Sequence, residues 1–424
     1  MTRLQDLTGA DLDAFAEQLR ARYAEVQAAG VKLDLTRGKP SPAQLDLCQA
    51  LLETPVPAHA ADGTDVRNYG GLKGLTELRA IFAELLSVDV DNIVAGDNAS
   101  LSVMHDLIIQ ALLYGVPGGD GPWVGQPVKF ICPVPGYDRH FAICQQLGIE
   151  MVPVELGEHG PDLDAVAELL TDPTVKGMWV VPTYANPNGV VYDEATTRAL
   201  LQLPAAAPDF RIWWDNAYAL HHLTDHEQTP LDVISLAAEL GNPDRVLLFA
   251  STSKITFAGA GVSFFASSQA NLQAYLDGIS IRTIGPNKIN QLAHAQFFGD
   301  AEGVRRLMRA HRDLLAPKFA IVNDVLEADL GPHDMATWTH PEGGYFVTVD
   351  VMEHTAGRVV ELAKQAGVAL TPAGASHPHG HDPQDRTIRL APSFPNEDDL
   401  RAALAAFTTC VLLAAVEKRQ AELG

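Results

Sequence analysis

Six short apolar runs, set apart by stretches of helical periodicity, constrain this chain more than any other feature. They fall at Asn92–Val94, Val128–Cys132, Glu150–Val154, Gly177–Val181, Arg211–Trp214 and Val246–Ala250. The intervening segments Leu75–Leu86, Leu101–Leu113, His140–Leu147, Leu163–Leu170 and Glu194–Gln202 repeat apolar residues at helical spacing. Several runs are apolar without alternation, as expected for strands covered on both faces. Strand and helix in turn predict an α/β fold, with a large domain whose mostly parallel mixed sheet is sandwiched by helices.

The texture changes after a long helical stretch from Asn287 to about Leu330. Glu342-Gly343-Gly344-Tyr345-Phe346-Val347-Thr348-Val349 is followed by a helix at Arg358–Gln365, strands at Val368–Leu370 and Thr387–Leu390, and a last helix from Glu397 to about Lys418. This predicts a smaller α+β domain. An amphipathic helix at Leu12–Ala29 is expected to pack on the body. The boundaries expected are 47–290 for the large domain and 1–46 with 291–424 for the small one; a chain of 424 residues supports both.

The formal charge of −23 opposes contact with phosphate backbones, so no nucleic-acid partner is expected. No apolar run approaches the roughly 20 residues of a membrane span, and the polar N-terminus has no signal-peptide core. Cys48, Cys132, Cys144 and Cys410 are scattered, without a Cys-x-x-Cys pair. A cytoplasmic location without membrane partner, disulfide or metal is the expectation. His377, His379 and His381, in a Gly/Pro loop, read as a solvated or substrate-adjacent loop rather than a metal site.

In an open α/β sheet, ligands bind beyond the carboxyl ends of the strands. One run leads to Tyr137, a second to Asn186, a third to Asp215 with Tyr218 behind it. The fourth leads to Ser251-Thr252-Ser253-Lys254. A ring, an amide, a carboxylate with a phenol, and an amine thus converge on one rim. Singly, each has an ordinary reading: a snorkelling lysine, a strand-end cap, a core aromatic, a turn former. Together they suit an amine that forms a Schiff base with an aldehyde cofactor, and pyridoxal phosphate supplies one. Asp215 would face the ring nitrogen, Asn186 and Tyr218 the ring oxygen, and Tyr137 the ring face. The phosphate needs amides at a helix start, where Asn98-Ala99-Ser100 opens the helix Leu101–Leu113 and Ser251 and Ser253 flank the lysine. Two rival motifs fail. Ser251-x-x-Lys254 should open a helix, come first and be followed by Lys-Thr-Gly to be an acyl-serine site. Gly259-Ala260-Gly261 has Phe264 where a dinucleotide fingerprint has its third glycine.

At these residues the chain resembles the aspartate aminotransferase family, the fold-type I pyridoxal-phosphate enzymes, over nearly its whole length. The resemblance rests on Asn68-Tyr69-Gly70-Gly71-Leu72-Lys73-Gly74-Leu75, Tyr137, Asn186-Pro187-Asn188-Gly189, Asp215-x-x-Tyr218, Ser253-Lys254 and Ile388-Arg389-Leu390. Ser-Lys-Ile-Thr-Phe-Ala-Gly-Ala-Gly, from Ser253, is most similar to the divergent MocR-like branch. The resemblance implies ping-pong transamination between amino acids and 2-oxo acids, with aspartate and 2-oxoglutarate expected first. Lys254 would hold the cofactor and then shuttle a proton, aided by Asp215 and Tyr218. Arg389 would clasp the substrate α-carboxylate, and Gly38 would line the substrate entrance. In a homodimer, Tyr69 would reach the neighbour's cofactor phosphate and Arg282 the distal carboxylate. Other reactions of the same cofactor, such as C–S lysis or decarboxylation, and a sensor role like that of MocR-type regulators, are the alternatives.

One departure stands out. Relatives usually carry an arginine eight residues after the lysine, gripping the phosphate; here that residue is Val262. Either another cation replaces it, with Arg37, Lys39, Arg67 and Lys288 as candidates, or cofactor affinity is lower.

Overall fold

The structure, a computed structural model, describes residues 3–423. An eight-stranded sheet runs in the order Ile93–Ala95, Ser263–Ala266, Val246–Ser251, Arg211–Asp215, Val175–Val180, Lys129–Val134, Glu150–Gly157, Gly160–Pro161. The stretch from Val246–Ser251 to Glu150–Gly157 is parallel throughout, and the other strands pair antiparallel. Successive side chains go to opposite faces. Ile212 and Trp214 join Met178 and Leu248 in one core, while Trp213 joins Phe130, Trp179 and Phe249 in another. Asp215, in phase with Trp213, therefore points to the second face. Helices cover both, Thr76–Leu85 and Glu194–Gln202 on the first, Ser100–Tyr114 and Asp138–Gln146 on the second. That double cover is why the runs do not alternate.

A third core joins the two ends of the chain. Leu12, Leu19 and Leu35 pack with Leu326, Val349 and Leu404. Around it lie the antiparallel strands Thr337–Trp338, Val347–Asp350 and Thr387–Leu390, with Leu33–Asp34 pairing parallel to Val368–Ala369. The helix Ala301–Asp329 belongs to both bodies, with Val304 and Met308 in the sheet core and Leu315 and Val322 in the third.

Several expectations need correcting. The stretch from Asn287 is two helices, Lys288–Phe298 and Ala301–Asp329. Gly299, at φ +74°, ends the first, and Asp300 caps the second by accepting from the Gly303 amide at 2.7 Å. The strand Ser263–Ala266 and the helices Val233–Glu239 and Gln269–Arg282 were not expected. The terminal helix Glu397–Leu423 is long and apolar enough to cross a membrane, contrary to the reading that no run approaches that length. Yet 78% of its apolar window is buried inside the fold, so its composition follows from core packing.

Candidate active site

The strands Lys129–Val134, Val175–Val180, Arg211–Asp215 and Val246–Ser251 lie side by side and parallel, so their carboxyl ends share one rim. Asp215 is the last residue of its strand and is 4% exposed. Its Oδ2 lies 3.1 Å from His140 Nε2, while its Oδ1 is buried without a hydrogen-bond partner. A buried carboxylate oxygen left bare costs about 1–3 kcal/mol or more, so the site is built for a second N–H to arrive. His140 stacks flat on Trp179, ring centres 4.2 Å apart, and meets Tyr137 edge-on at 4.9 Å. Sequence reasoning missed His140. The available signal was its place three residues after Tyr137, on the same face of the helix Asp138–Gln146.

Lys254 Nζ lies over the Tyr218 ring, 4.8 Å from its centre. Burial pushes the Tyr218 phenol well above its ordinary pKa, and the Asp215 charge adds to that. Burial likewise pushes Tyr137 up to about 12, although the Lys254 charge pulls the other way. Both phenols therefore stay protonated and can donate.

Asn186 is buried, and its Oδ1 accepts from Arg389 Nη1 at 3.2 Å. Arg389 Nη2 donates to Thr371 Oγ1 at 3.2 Å and to the Thr36 carbonyl at 3.3 Å. Its Nη1 also faces Asp138 Oδ1 at 3.4 Å, and its Nε is buried without a partner. The guanidinium sits over the Phe346 ring at 4.8 Å. Gly38 makes room for that ring, because a Cβ there would come within 2.6 Å of it.

Beside Lys254, the helix Ser100–Tyr114 begins with Ala99 at its cap and no side chain bonded to its first amides. Such a start favours an anion. Asn98 Oδ1 accepts from the Gly261 amide at 2.9 Å. A Cβ on Gly261 would lie 3.0 Å from that oxygen and 3.3 Å from Ser253 Oγ, so the helix start and the lysine loop converge here. Ser251 Oγ accepts from the Ser253 amide at 3.4 Å. Val262 is buried in the sheet core with Ile255 and Phe264, and its amide donates to Thr252 Oγ1 at 2.9 Å.

Several of the other expected residues have partners of their own, and Arg282 lines one cavity with Asn98 and Ala99. Arg282 makes an ion pair with Asp106 at 2.7 Å. Tyr69 is 82% exposed. Arg67 is held by Asp65, Lys39 lies over the Phe394 ring at 3.9 Å, and Arg37 is exposed. Lys288 is buried and donates to the Asn68 and Gly70 carbonyls at 2.7 and 2.6 Å. In the histidine loop, His377 Nε2 is 3.8 Å from Asp382 Oδ1, and the Ser376 carbonyl accepts from the Gly136 amide at 2.8 Å. That loop therefore docks on the turn carrying Tyr137.

The family model described as aspartate amino-transferase matches residues 7–422. The chain belongs to the aspartate aminotransferase family. An aspartate aminotransferase of Corynebacterium glutamicum is 51% identical over 417 residues, covering 98% of this chain and 96% of the relative. The crystal structure of an aspartate transaminase from Corynebacterium glutamicum superimposes with a TM-score of 0.96 at 50% identity, covering 98% of this chain and 99% of that one. LysN, an α-aminoadipate aminotransferase from Thermus thermophilus complexed with N-(5'-phosphopyridoxyl)-L-leucine, shares the fold. Its TM-score is 0.72 at 20% identity, covering 96% of this chain and 98% of that one. The chain is an aminotransferase, and the cofactor of such enzymes is pyridoxal phosphate. This aminotransferase has the donor set that group requires: a bare buried carboxylate oxygen for a ring N–H, an uncapped helix start for a phosphate, and an amine near both.

Proposed function

We propose that this aminotransferase moves the amino group of aspartate to 2-oxoglutarate by ping-pong turnover at Lys254. The observation that carries the reading is the partnerless Oδ1 of Asp215 in the same cup as the Lys254 amine. When bound, pyridoxal phosphate supplies an aldehyde that bonds amines and a ring that takes up the electron pair left at the substrate α-carbon.

Asp215 holds a ring N–H with its free Oδ1, and His140 on Oδ2 keeps the carboxylate fixed. Tyr218 donates to the ring oxygen, as does Asn186 through Nδ2, since its Oδ1 is taken by Arg389. Tyr137 covers the ring face. Lys254 is the tether; once a substrate amine replaces it, its Nζ moves the proton off the α-carbon. Arg389 clasps the substrate α-carboxylate with its fork, in the pocket that Gly38 opens.

For the phosphate, Asn98, Ala99, Ser100, Ser251 and Ser253 are neutral donors. Lys288 replaces the arginine missing at Val262. It is buried, it donates to the Asn68 and Gly70 carbonyls, and a buried ammonium without an anion is costly. Its helix also adjoins the cradle: the Asn287 amide donates to Asp97 Oδ1 at 2.9 Å, and Asn290 Nδ2 donates to the Ala260 carbonyl at 2.9 Å.

The active unit is a homodimer in which Tyr69 and Arg282 serve the neighbour's site. The exposure of Tyr69, and of Ile281 and Ile284 at 90% and 60%, supports this. We keep the division into 47–290 and 1–46 with 291–424; the core that joins Leu12 and Leu35 to Val349 and Leu404 supports pairing the two ends of the chain, while the sheet core reaches past 290 through Ala295, Phe298, Val304 and Met308. We place the protein in the cytoplasm, in the MocR-like branch by its Ser253–Gly261 segment, without nucleic-acid or membrane partners. The 51% identity to an aspartate aminotransferase supports the substrate choice.

The test is a screen of amino donors with 2-oxoglutarate, read as glutamate and 2-oxo acid formed in equal amounts. Aspartate should lead. Ammonia or carbon dioxide released without glutamate would point instead to lyase or decarboxylase chemistry, and DNA binding without turnover to a sensor.

A further inference from the structure

The two residues after Lys254 are each held by a buried histidine that the reaction itself does not use. His311, on the helix Ala301–Asp329, has Nε2 2.9 Å from the Ile255 carbonyl. A carbonyl only accepts, so Nε2 carries the proton. Nδ1 lies 3.1 Å from Gln44 Nε2, an amide nitrogen that only donates, so Nδ1 is bare. The Gln44 amide cannot turn over freely. Its Oε1 accepts from the Ser41 amide at 3.1 Å, closing the capping box of the helix Pro42–Asp46, and its Nε2 also donates to Tyr345 Oη at 2.9 Å.

His294 has the opposite arrangement. Nδ1 is 2.8 Å from the Asn290 carbonyl and carries a proton, and Nε2 meets Thr256 Oγ1 at 2.9 Å. The His311 tautomer follows from its partners alone. A second proton there would set N–H against the Gln44 amide, whereas Thr256 Oγ1, which also reaches the Thr252 carbonyl, can give or accept a proton at His294. Burial also lowers the basicity of both imidazoles.

We propose that His311, in its neutral form, and His294 are positioning residues that fix Ile255 and Thr256 and so aim the Lys254 amine at the cup floored by Asp215. This rests on the reading of Lys254 as the cofactor-bearing residue. Cys48 Sγ donates to the same Ile255 carbonyl at 3.3 Å, a weak bond that cannot hold the segment alone.

The test uses the cofactor-loaded enzyme. His311→Phe keeps the ring's bulk and removes the donor, His311→Asn is too short to reach Ile255, and His311→Gln can restore a donor at that carbonyl. The Phe and Asn variants should shift the pH titration of the cofactor's visible absorbance by roughly half to one unit, the span of one lost neutral hydrogen bond. Their kcat should fall roughly three- to tenfold with KM within about twofold, and Gln should recover most of both. A folded Phe or Asn variant with the wild-type titration overturns the proposal. Should both misfold, selective ¹⁵N-histidine NMR of the wild-type holoenzyme decides: a neutral Nε2–H His311 is expected, and a protonated or Nδ1–H ring overturns it. Borohydride trapping on each variant separates the two readings. Label on Lys254 with an unshifted titration rejects only the clamp, whereas label on another lysine rejects the role of Lys254 itself.

Discussion

Asp215 Oδ2 stands 3.1 Å from His140 Nε2 at the floor of the site, and the two side chains are only 6% and 2% exposed. The imidazole occupies one carboxylate oxygen and leaves the other facing the cup without a partner. Trp179, stacked on the His140 ring, prevents the imidazole from swinging over to the free oxygen. The pair is thus a fixed carboxyl group with one open acceptor.

Asp215→Asn keeps the shape and removes the charge. Removing one partner of a buried charge pair costs roughly 3–4 kcal/mol, so kcat should fall about 10²–10³-fold at saturating cofactor. Steady-state kinetics check this. A loss under about tenfold would mean that the ring nitrogen has a different partner.

The convergence on the rim was legible because parallel strands deliver their carboxyl ends to one side, and the apolar runs before Tyr137, Asn186, Asp215 and Lys254 were continuous. The role of Arg389 came from the family resemblance; its place inside the strand Thr387–Leu390 only made an ordinary reading of the charge weaker. What stayed hidden depends on contacts between distant segments. Asp138, Thr36, Thr371 and Phe346 meet Arg389 from separate elements, and no local pattern joins them. The strand Ser263–Ala266 follows a Gly/Ala loop and is only four residues long, so its antiparallel return left no periodic signal. The helix break at Gly299-Asp300 was readable as a glycine stop followed by a cap, but apolar spacing continues across it.

Arg389→Lys retains the charge and loses the fork. The substrate carboxylate would then lack one charge-assisted bond, worth about 1.5–3 kcal/mol, so kcat/KM should fall about 10–100-fold. Because every amino acid carries the α-carboxylate, aspartate and alanine should lose alike. A loss confined to aspartate would reassign Arg389 to the distal carboxylate.

Arg282→Ala tests the other end of the substrate. It frees Asp106, whose carboxyl burial already pushes upward and which the Arg282 charge pulls back down. If Arg282 serves the neighbour's site, kcat/KM for aspartate should fall about tenfold or more while alanine changes little. Equal losses on both donors would show that the Arg282–Asp106 pair only braces the helix Gln269–Arg282.

Lys288→Met removes the buried cation while keeping the stem's bulk. Cofactor Kd should rise about 10–100-fold, measured by fluorescence titration of the apoenzyme with pyridoxal phosphate. An unchanged Kd would leave the phosphate to the helix start and the serine hydroxyls alone. The Asn68 and Gly70 carbonyls also lose their donor, so a thermal melt of the variant distinguishes a loosened Tyr69 loop from lost phosphate affinity.

Acid should destabilise the enzyme before its carboxylates titrate. His221, His294 and His311 all have pKa values lowered in the fold, chiefly by burial, and in His221 also by the Lys254 charge. Both His221 ring nitrogens are buried without a partner. In the unfolded chain each imidazole titrates near about 6.5. Below that pH the unfolded state binds protons that the folded state refuses, so the stability these groups contribute is present above about 6.5 and is lost as pH falls toward their folded values. Each contributes a slope of up to about 1.4 kcal/mol per pH unit. Urea unfolding of the holoenzyme at about pH 7.5 and about pH 5.5 should therefore show a loss steeper than one proton explains. Free carboxylates titrate near about 4, below this window, and Asp106, whose pKa burial raises, works against the trend as pH falls. A flat profile across it would mean the three imidazoles accept protons in place, which the Gln44 amide at His311 cannot accommodate without moving.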